Sequence, residues 1–472
     1  MPGPDRNSPR PPPDIVVDRT PEQRARDALH SQEQVNVLMP RIAADNREDE
    51  LIGILGERRA RADESVVRFE VAVSRTGQPT LVVPRQLLLR VGAGGQDLAS
   101  PIKILQDAGF VEGGIADQPS GCEELQGRLR SFTAPPGAPA AVVVDTVDRL
   151  TVAGYSAAPT AVEALHQNPR PSRIVVKSVT GPAPTSVVFD EASIHDPAGE
   201  IVVAVIDTGI VRKTRRDSWL NDVRRTPQDV DPLDAFGGQP GGNGKLDFAA
   251  GHGTFAAGIV RQIDAEAEIR CYAALDSDGF ASEMGVACAM IRAVRDGAHV
   301  VNLSLGMRTF DNQPSLAIET ALDLIDEITE GREPPVFVAS AGNYGDSEPV
   351  WPAASRRVIS VAGLTAKLEP ADWSSRGVWV DCSTVAEGVV STYVEGDEDP
   401  VFGGNDHYPL VPDTDAWAVW AGTSFAAPQI TGEIARTCRT GNLPPREAAR
   451  QVLRSGTMIP DYGRALLLLP GT

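Results

Sequence analysis

The sequence contains no run of about 18 apolar residues, so no helical membrane span is expected. Basic residues are in the minority: 44 Lys and Arg stand against 64 Asp and Glu, a net charge of -20. That balance argues against a nucleic-acid partner, which requires a basic face. The first 14 residues are Pro-rich and polar and lack the apolar core of a signal peptide, so the expected location is cytoplasmic, with leaderless export as the alternative. The five cysteines (Cys122, Cys271, Cys288, Cys382 and Cys438) are odd in number and include no CxxC pair. Neither a disulfide framework nor a zinc site is expected; they read as small buried hydrophobes in a reducing compartment. Histidine is scarce, with six in all. His30, His166, His195, His299 and His407 have no catalytic context and read as surface or satisfied core residues.

What is present is a globular chain of 472 residues with 42% hydrophobic and 23% charged content. That length predicts two or three domains. Three short segments carry chemistry: Val205-Ile206-Asp207-Thr208-Gly209, Gly251-His252-Gly253-Thr254, and Gly422-Thr423-Ser424-Phe425-Ala426-Ala427-Pro428. A serine hydroxyl is a poor nucleophile at neutral pH and needs a base within hydrogen-bond reach. Histidine is the usual base, and a buried aspartate holds its tautomer and stabilises the imidazolium. Asp207, His252 and Ser424 follow one another in the order Asp, His, Ser. With those flanks, the chain from residue 200 onward closely resembles the subtilisin-like serine proteases, the subtilases, whose chain order this is.

The resemblance implies a serine endopeptidase acting through an acyl-enzyme on a peptide or protein substrate. No cofactor, metal, nucleic acid or membrane partner is implied. Ser340-Ala341-Gly342-Asn343 matches the family's Ala-Gly-Asn segment, which makes Asn343 the side-chain donor of the oxyanion hole. That Asn, with His252, separates the chain from the sedolisins, which use carboxylates. Ser304, Leu305 and Gly306 match the family's substrate-binding strand, and Ala341 and Gly342 join them as substrate-binding positions. An extended peptide is expected to add antiparallel to residues 304–306. Asp276-Ser277-Asp278-Gly279 resembles a fragment of a calcium loop without the later Glu, and no metal is assigned. The alternative function is a catalytically silent or tightly regulated peptide-binding module on the same scaffold.

Alternation of apolar runs with helical stretches from residue 200 predicts an α/β fold: a parallel sheet covered by helices on both faces. Strands are expected at 201–206, 269–274, 299–305, 335–341 and 358–362, and helices at 253–262, 282–296 and 314–328. Asp207 then follows the first strand, at the carboxyl edge where such sheets place their sites. A helix is expected to start after Ser424, its N-terminus near the developing oxyanion, with Pro428 in its first turn.

Upstream, residues 1–18 read as a disordered Pro-rich tail and 19–63 as a helical segment broken at Pro40. Residues 64–168 read as a smaller α+β unit, similar in spacing to the ferredoxin-like inhibitory propeptide of subtilases, or as a regulatory domain. Its strands are expected at 66–73 and 87–91, with a helix from Pro101 capped by Ser100, then a strand and a helix start within 140–150. Residues 169–198 read as a linker, and 199–472 as the peptidase domain. If the α+β unit is an inhibitor, its last residues lie in the cleft beside Ser304 to Gly306, and the chain cuts itself within 166–199. Two insertions, 212–247 and 391–420, are expected to rim the cleft. The second holds Glu395-Gly396-Asp397-Glu398-Asp399, read as a solvated loop in preference to an attractor of basic substrates.

Overall fold

The structure, a computed structural model, describes residues 15–17, 29, 31–36, 47–62, 66–73, 77, 79–91, 98–113, 122–165, 171–174, 176–179, 201–237, 242–409 and 412–469. The tail expected to be disordered and Pro40 lie largely or wholly outside the described residues.

The N-terminal region contributes helix α1 (Arg47–Ala60), strands β1 (Glu70–Val73) and β2 (Pro79–Arg90), helix α2 (Ala99–Asp107), strand β3 (Leu129–Thr133), helix α3 (Ala140–Val152) and strand β4 (Ala157–Ala164). Helix α2 starts two residues earlier than expected, with Leu98 rather than Ser100 at the N-cap and no side-chain cap. Residues 140–152 are helical throughout, against the expected strand. The Val-rich run suggests a strand, but Val143, Thr146, Val147 and Leu150 bury one helical face at spacings of three and four. Strand β4 was not anticipated. Its sequence AAPTAVEA has little β-branched or aromatic content, and its neighbours β2 and β7, below, make it a strand.

The C-terminal region follows with β5 (Val202–Asp207), α4 (His252–Ile263), β6 (Glu268–Ala273), β7 (Phe280–Ser282), α5 (Glu283–Arg295), β8 (Val300–Leu303), α6 (Leu316–Ile328), β9 (Val336–Ser340), β10 (Val358–Leu364), β11 (Cys382–Val385), β12 (Val389–Thr392), β13 (Trp417–Trp420), α7 (Ala427–Gly441), α8 (Pro445–Ser455), β14 (Thr457–Ile459) and β15 (Gly463–Ala465). The main sheet runs β6-β5-β8-β9-β10-β11-β15-β14, parallel except for the last pair. Successive side chains on its strands face opposite ways. Ala204, Ile206, Val301 and Leu303 pack under α5 and α6, while Val203, Val205, Val300 and Val338 pack under α4, α7 and α8. Burial on both faces explains why these strands read as continuous apolar runs.

The two regions share one apolar cluster, beside a separate N-terminal one of Leu87, Leu89, Leu105, Phe132 and Val147. Leu55, Val67, Leu88, Leu125 and Leu129 join the cluster under α5 and α6, with Met284, Ile291 and Leu322. Strand β7 completes the N-terminal sheet, ordered β7-β4-β2-β3 with the short strand Val111–Glu112 beyond β3 and β1 paired with β2 off that path. Cys122 and Cys288 form a disulfide across this contact, Cα atoms 5.6 Å apart, which corrects the expectation that all five cysteines are unpaired. The pair is 166 residues apart and meets only because the N-terminal region packs on α5. Cys271, Cys382 and Cys438 are free and buried, as small hydrophobes.

The stretch expected to be a linker contains two short strands, Ser172–Ile174, antiparallel to β13, and Val176–Val179, antiparallel to Ile15–Val17. The two insertions pack on each other. The Leu246 N–H donates to the Asp397 carbonyl at 2.7 Å, and the Arg215 guanidinium donates to the carbonyls of Tyr393 and Ala416 at 3.0 and 2.8 Å. The acidic run is therefore not a solvated loop. Lys213 pairs with Glu395 at 2.6 Å, Lys245 and His407 with Asp397, and Arg58 with Asp399 at 3.1 Å.

Candidate active site

Asp207 ends β5 and is fully buried. One carboxylate oxygen accepts the Thr208 N–H at 2.7 Å, and His252 Nδ1 lies 2.8 and 2.9 Å from the two oxygens. His252 opens α4 immediately after Gly251, which is in the left-handed region (φ 80°). Gly253 lets the helix start press against the end of β5. A Cβ there would sit 2.3 Å from the Gly209 carbonyl oxygen, a contact that backbone cannot relieve. The imidazole is wedged between Trp420 and Phe425, ring centroids 5.3 and 5.2 Å away. Behind the pair, buried Asp231 accepts from the Gly251 N–H and the Thr208 hydroxyl, both at 2.8 Å. Burial raises its carboxyl to about 6, with Asp207 adding to the rise. Nothing in the sequence singled out Asp231.

Ser424 lies in the 3-10 turn Thr423–Phe425 that leads into α7, and Pro428 falls in the first turn, as expected. The Ser424 carbonyl accepts the Ser304 hydroxyl at 2.6 Å, which ties the proposed substrate strand to the serine turn. Ser304 is itself held by Asn302 Nδ2 at 2.9 Å. Asn343 Oδ1 accepts from the Thr423 N–H at 3.0 Å and the Thr423 hydroxyl at 2.9 Å. An amide whose oxygen is engaged in this way has Nδ2 as its donor. Leu305, Gly306, Gly342, Asn343 and Ser424 line one cleft. Ala341 does not; it is buried with Ala362 and Leu364. Thr423 was quoted in the motif without a role, and the structure makes it the anchor of the Asn343 amide. Thr423→Val keeps the N–H bond, removes the hydroxyl bond to Asn343 at about 1 kcal/mol, and also leaves the Gly342 N–H, 3.1 Å from that hydroxyl, without its acceptor. The expected result is a kcat lower by roughly five-fold, with KM unchanged, in steady-state peptide hydrolysis.

The N-terminal region reaches this cleft. Strand β4 pairs antiparallel with β7, Ala164 opposite Phe280 and Glu163 opposite Ala281, and the Leu165 N–H donates to the Gly279 carbonyl at 3.0 Å. Ala164 and Leu165 then line the cleft together with Ser424 and Asn343. The end of this strand shares the cleft with Leu305 and Gly306, the side on which it was expected, while its pairing with β7 was not anticipated. Further contacts flank it. Arg58 reaches Asp247 at 2.6 Å, Asp278 at 3.2 Å and Asp399, its guanidinium 4.9 Å from the Phe402 ring centre. Arg59 pairs with Asp276 and donates to the Val67 carbonyl at 2.5 Å. The residues that resembled a calcium-loop fragment thus receive two arginines. Burial pushes the Asp247 and Asp278 carboxyls up, and Arg58 pulls both down.

Glu163 is fully buried, and neither carboxylate oxygen has a hydrogen-bond partner among the described residues. Burial pushes its carboxyl well above the usual carboxylate range, with Glu283 adding to the rise. Glu283 accepts the Ala161 N–H at 2.8 Å, the Ser315 hydroxyl at 2.7 Å and the Ala317 N–H at 2.9 Å.

Residues 198–458 match the model of the subtilase family. A thermophilic serine proteinase of Bacillus sp. strain AK1 is 30% identical over 271 residues, 56% of this chain and 59% of that protein. Thermitase of Thermoactinomyces vulgaris is 27% identical over 192 residues, 39% of this chain and 59% of that protein. The chain thus spans about three fifths of the length of these relatives. Among solved structures, fervidolysin from Fervidobacterium pennivorans, described as a keratinolytic enzyme related to subtilisin, aligns with a TM-score of 0.54 at 20% identity, covering 82% of this chain and 60% of that one. At that identity the likeness is one of fold.

Proposed function

The chain belongs to the subtilase family, and we propose that it is a serine endopeptidase whose own N-terminal region occupies its cleft as an inhibitor. The contact between His252 Nδ1 and both oxygens of Asp207 carries the catalytic part of this reading. With Nδ1–H donated to Asp207, Nε2 is the basic nitrogen. It takes the Ser424 proton as Oγ attacks the scissile carbonyl, then gives that proton to the leaving amine. The tetrahedral oxyanion is held by Asn343 Nδ2 and the Ser424 N–H. Water, deprotonated by His252, then hydrolyses the acyl-enzyme and frees Ser424. No step requires a metal or cofactor.

The inhibitory part rests on Ala164 and Leu165 at the cleft wall and on the β4–β7 pairing, in which a short strand beside the cleft adds to the edge of the N-terminal sheet and holds its last residues there. A cut within residues 166–199 separates inhibitor from enzyme in sequence. Fluorophosphonate labelling tests both parts. The uncut chain is expected to label slowly, and the cut chain, freed of residues 1–165, rapidly and at Ser424. Absence of labelling in the freed enzyme would reject the nucleophile; equal rates would reject the inhibitor.

Glu163 gives this inhibition a pH dependence. The docked strand favours the protonated carboxyl, because ionisation there is opposed by burial and by Glu283. Docking is therefore complete at pH below the ordinary carboxylate range and weakens as pH rises through the raised value. Glu163→Gln keeps the neutral shape and removes the titration. Labelling of the uncut variant is expected to be slower than wild type at pH 8, with the difference shrinking as pH falls toward the ordinary carboxylate range. An unchanged pH profile would rule Glu163 out.

A further inference from the structure

We propose that the Cys122–Cys288 disulfide is a covalent latch: it holds the N-terminal region in the cleft after the chain between them is cut, so that freeing the peptidase requires reduction of that bond. The inference rests on the inhibitory reading above. Cys122 lies in the N-terminal region, immediately before the short helix Glu123–Gln126, and Cys288 lies in α5. The bond braces neither region internally; it joins the two. Helix α5 follows directly on β7, the short strand that pairs with β4, so the bond anchors the inhibitor beside the strand whose end, Ala164 and Leu165, lines the cleft. Every peptide bond of the 166–199 stretch lies between residues 122 and 288, so a cut there leaves the two pieces joined.

The energetic consequence is large. A tethered inhibitor competes at an effective concentration of about 1 mM. A strand whose untethered Kd is as weak as about 1 μM then leaves roughly one cleft in a thousand open. Without the tether, the same piece at nanomolar concentration dissociates. The flanking ion pairs act on the same face: Arg128 with Glu327 at 2.5 Å, and Arg295 with Glu124. These are partly exposed and contribute little on their own. Both sulfurs are buried, Cys122 to 2% and Cys288 to 4% exposure, so a reductant reaches them only after the contact has loosened. Cutting precedes reduction. A dithiol supplies the chemistry. Its thiolate attacks one sulfur to form a mixed disulfide and expels the other as a thiolate. Its second thiol then closes on the first, so that Cys122 and Cys288 end as thiols and the reductant as a disulfide, two electrons having passed.

The test uses the full chain with a recognition sequence for an unrelated, site-specific protease inserted after Pro184. In a Ser424→Ala background, the cut protein is expected to run as one species in denaturing electrophoresis without reductant, and as two fragments after dithiothreitol. Two fragments without reductant would show the bond absent and overturn the proposal. In the active background, the cut protein is expected to gain at least ten-fold in peptide hydrolysis on adding dithiothreitol. The Cys122→Ser and Cys288→Ser variants are expected to show that gain on cutting alone, with no further response to dithiothreitol. Because both cysteines are buried and their replacement also alters packing, wild type that is cut, reduced and alkylated with iodoacetamide serves as the second measure and is expected to match them. Full activity of the cut, unreduced wild type with the bond intact would overturn the latch. Activity of the uncut chain equal to that of the cut and reduced one would instead overturn the inhibitory reading, while the electrophoresis would still report on the tether.

Discussion

Ser424→Ala, measured on the cut and reduced protein, is expected to abolish fluorophosphonate labelling and lower kcat by on the order of 10⁶-fold, a loss known from another subtilase and not calculated from this geometry. The turn that carries the residue should survive the change. Ser304 holds the backbone carbonyl of Ser424, not its hydroxyl, and that bond is unaffected. The Thr423 contacts to Asn343 also remain. A thermal melt close to wild type would therefore accompany the loss of activity. What rate remains over water comes from the oxyanion donors and from binding. If the variant still labels stoichiometrically, the nucleophile is another serine.

The second large effect concerns Asn343. Asn343→Ala is expected to lower kcat by about 10² to 10³, roughly 2.7–4 kcal/mol, with little change in KM; this magnitude too is that of the same deletion in a subtilase. Alanine has a side effect in this chain, because Asn343 Oδ1 also accepts the Thr423 N–H and hydroxyl. Leaving a buried donor without a partner costs about 1–3 kcal/mol of stability. Asn343→Asp separates the two roles. A carboxylate still accepts from Thr423 but donates nothing to the oxyanion and repels it. The expected result is a kcat at least as low as that of the alanine variant, with a smaller loss in melting temperature. A kcat near wild type for Asn343→Asp would remove this residue from the oxyanion hole.

The parts of the molecule that were legible in the sequence are those whose local chemistry is unambiguous. Strand β5 is apolar along its length because both faces are covered, and Asp207 at its end is where a parallel sheet places such a group. The pairing of His252 with Asp207 was expected from two motifs 45 residues apart. The missed features depend on partners distant in sequence. Strand β4 has a weak strand composition and is completed by β7, more than a hundred residues later. Cys122 finds Cys288 only across the contact between regions. The acidic run near residue 397 looks solvated until Lys213, Lys245 and Arg58 are brought to it. Asp231 has no motif; it matters because the Gly251 N–H and the Thr208 hydroxyl meet on its carboxylate. Helix α3 misled for a local reason, since a run of three valines fits either periodicity until the burial of Val147 and Leu150 decides it.

The apolar cluster that runs unbroken from Leu55 and Leu88 to Met284 and Leu322 couples the two regions, although each also keeps a cluster of its own. Neither side chain set has a complete interior of its own at that place. A cavity opened at Leu88 is expected to lower the melting temperature of the uncut chain as a cavity at Met284 does, since both belong to this cluster. Conversely, a peptidase freed of its N-terminal region uncovers the α5 and α6 surface on which Leu55, Val67 and Leu129 had rested. An apolar face of this kind, newly wetted, favours self-association or capture by another surface. On the inhibitory reading proposed above, activation and colloidal stability are therefore linked: the step that opens the cleft is also the step that makes the freed protein adhesive.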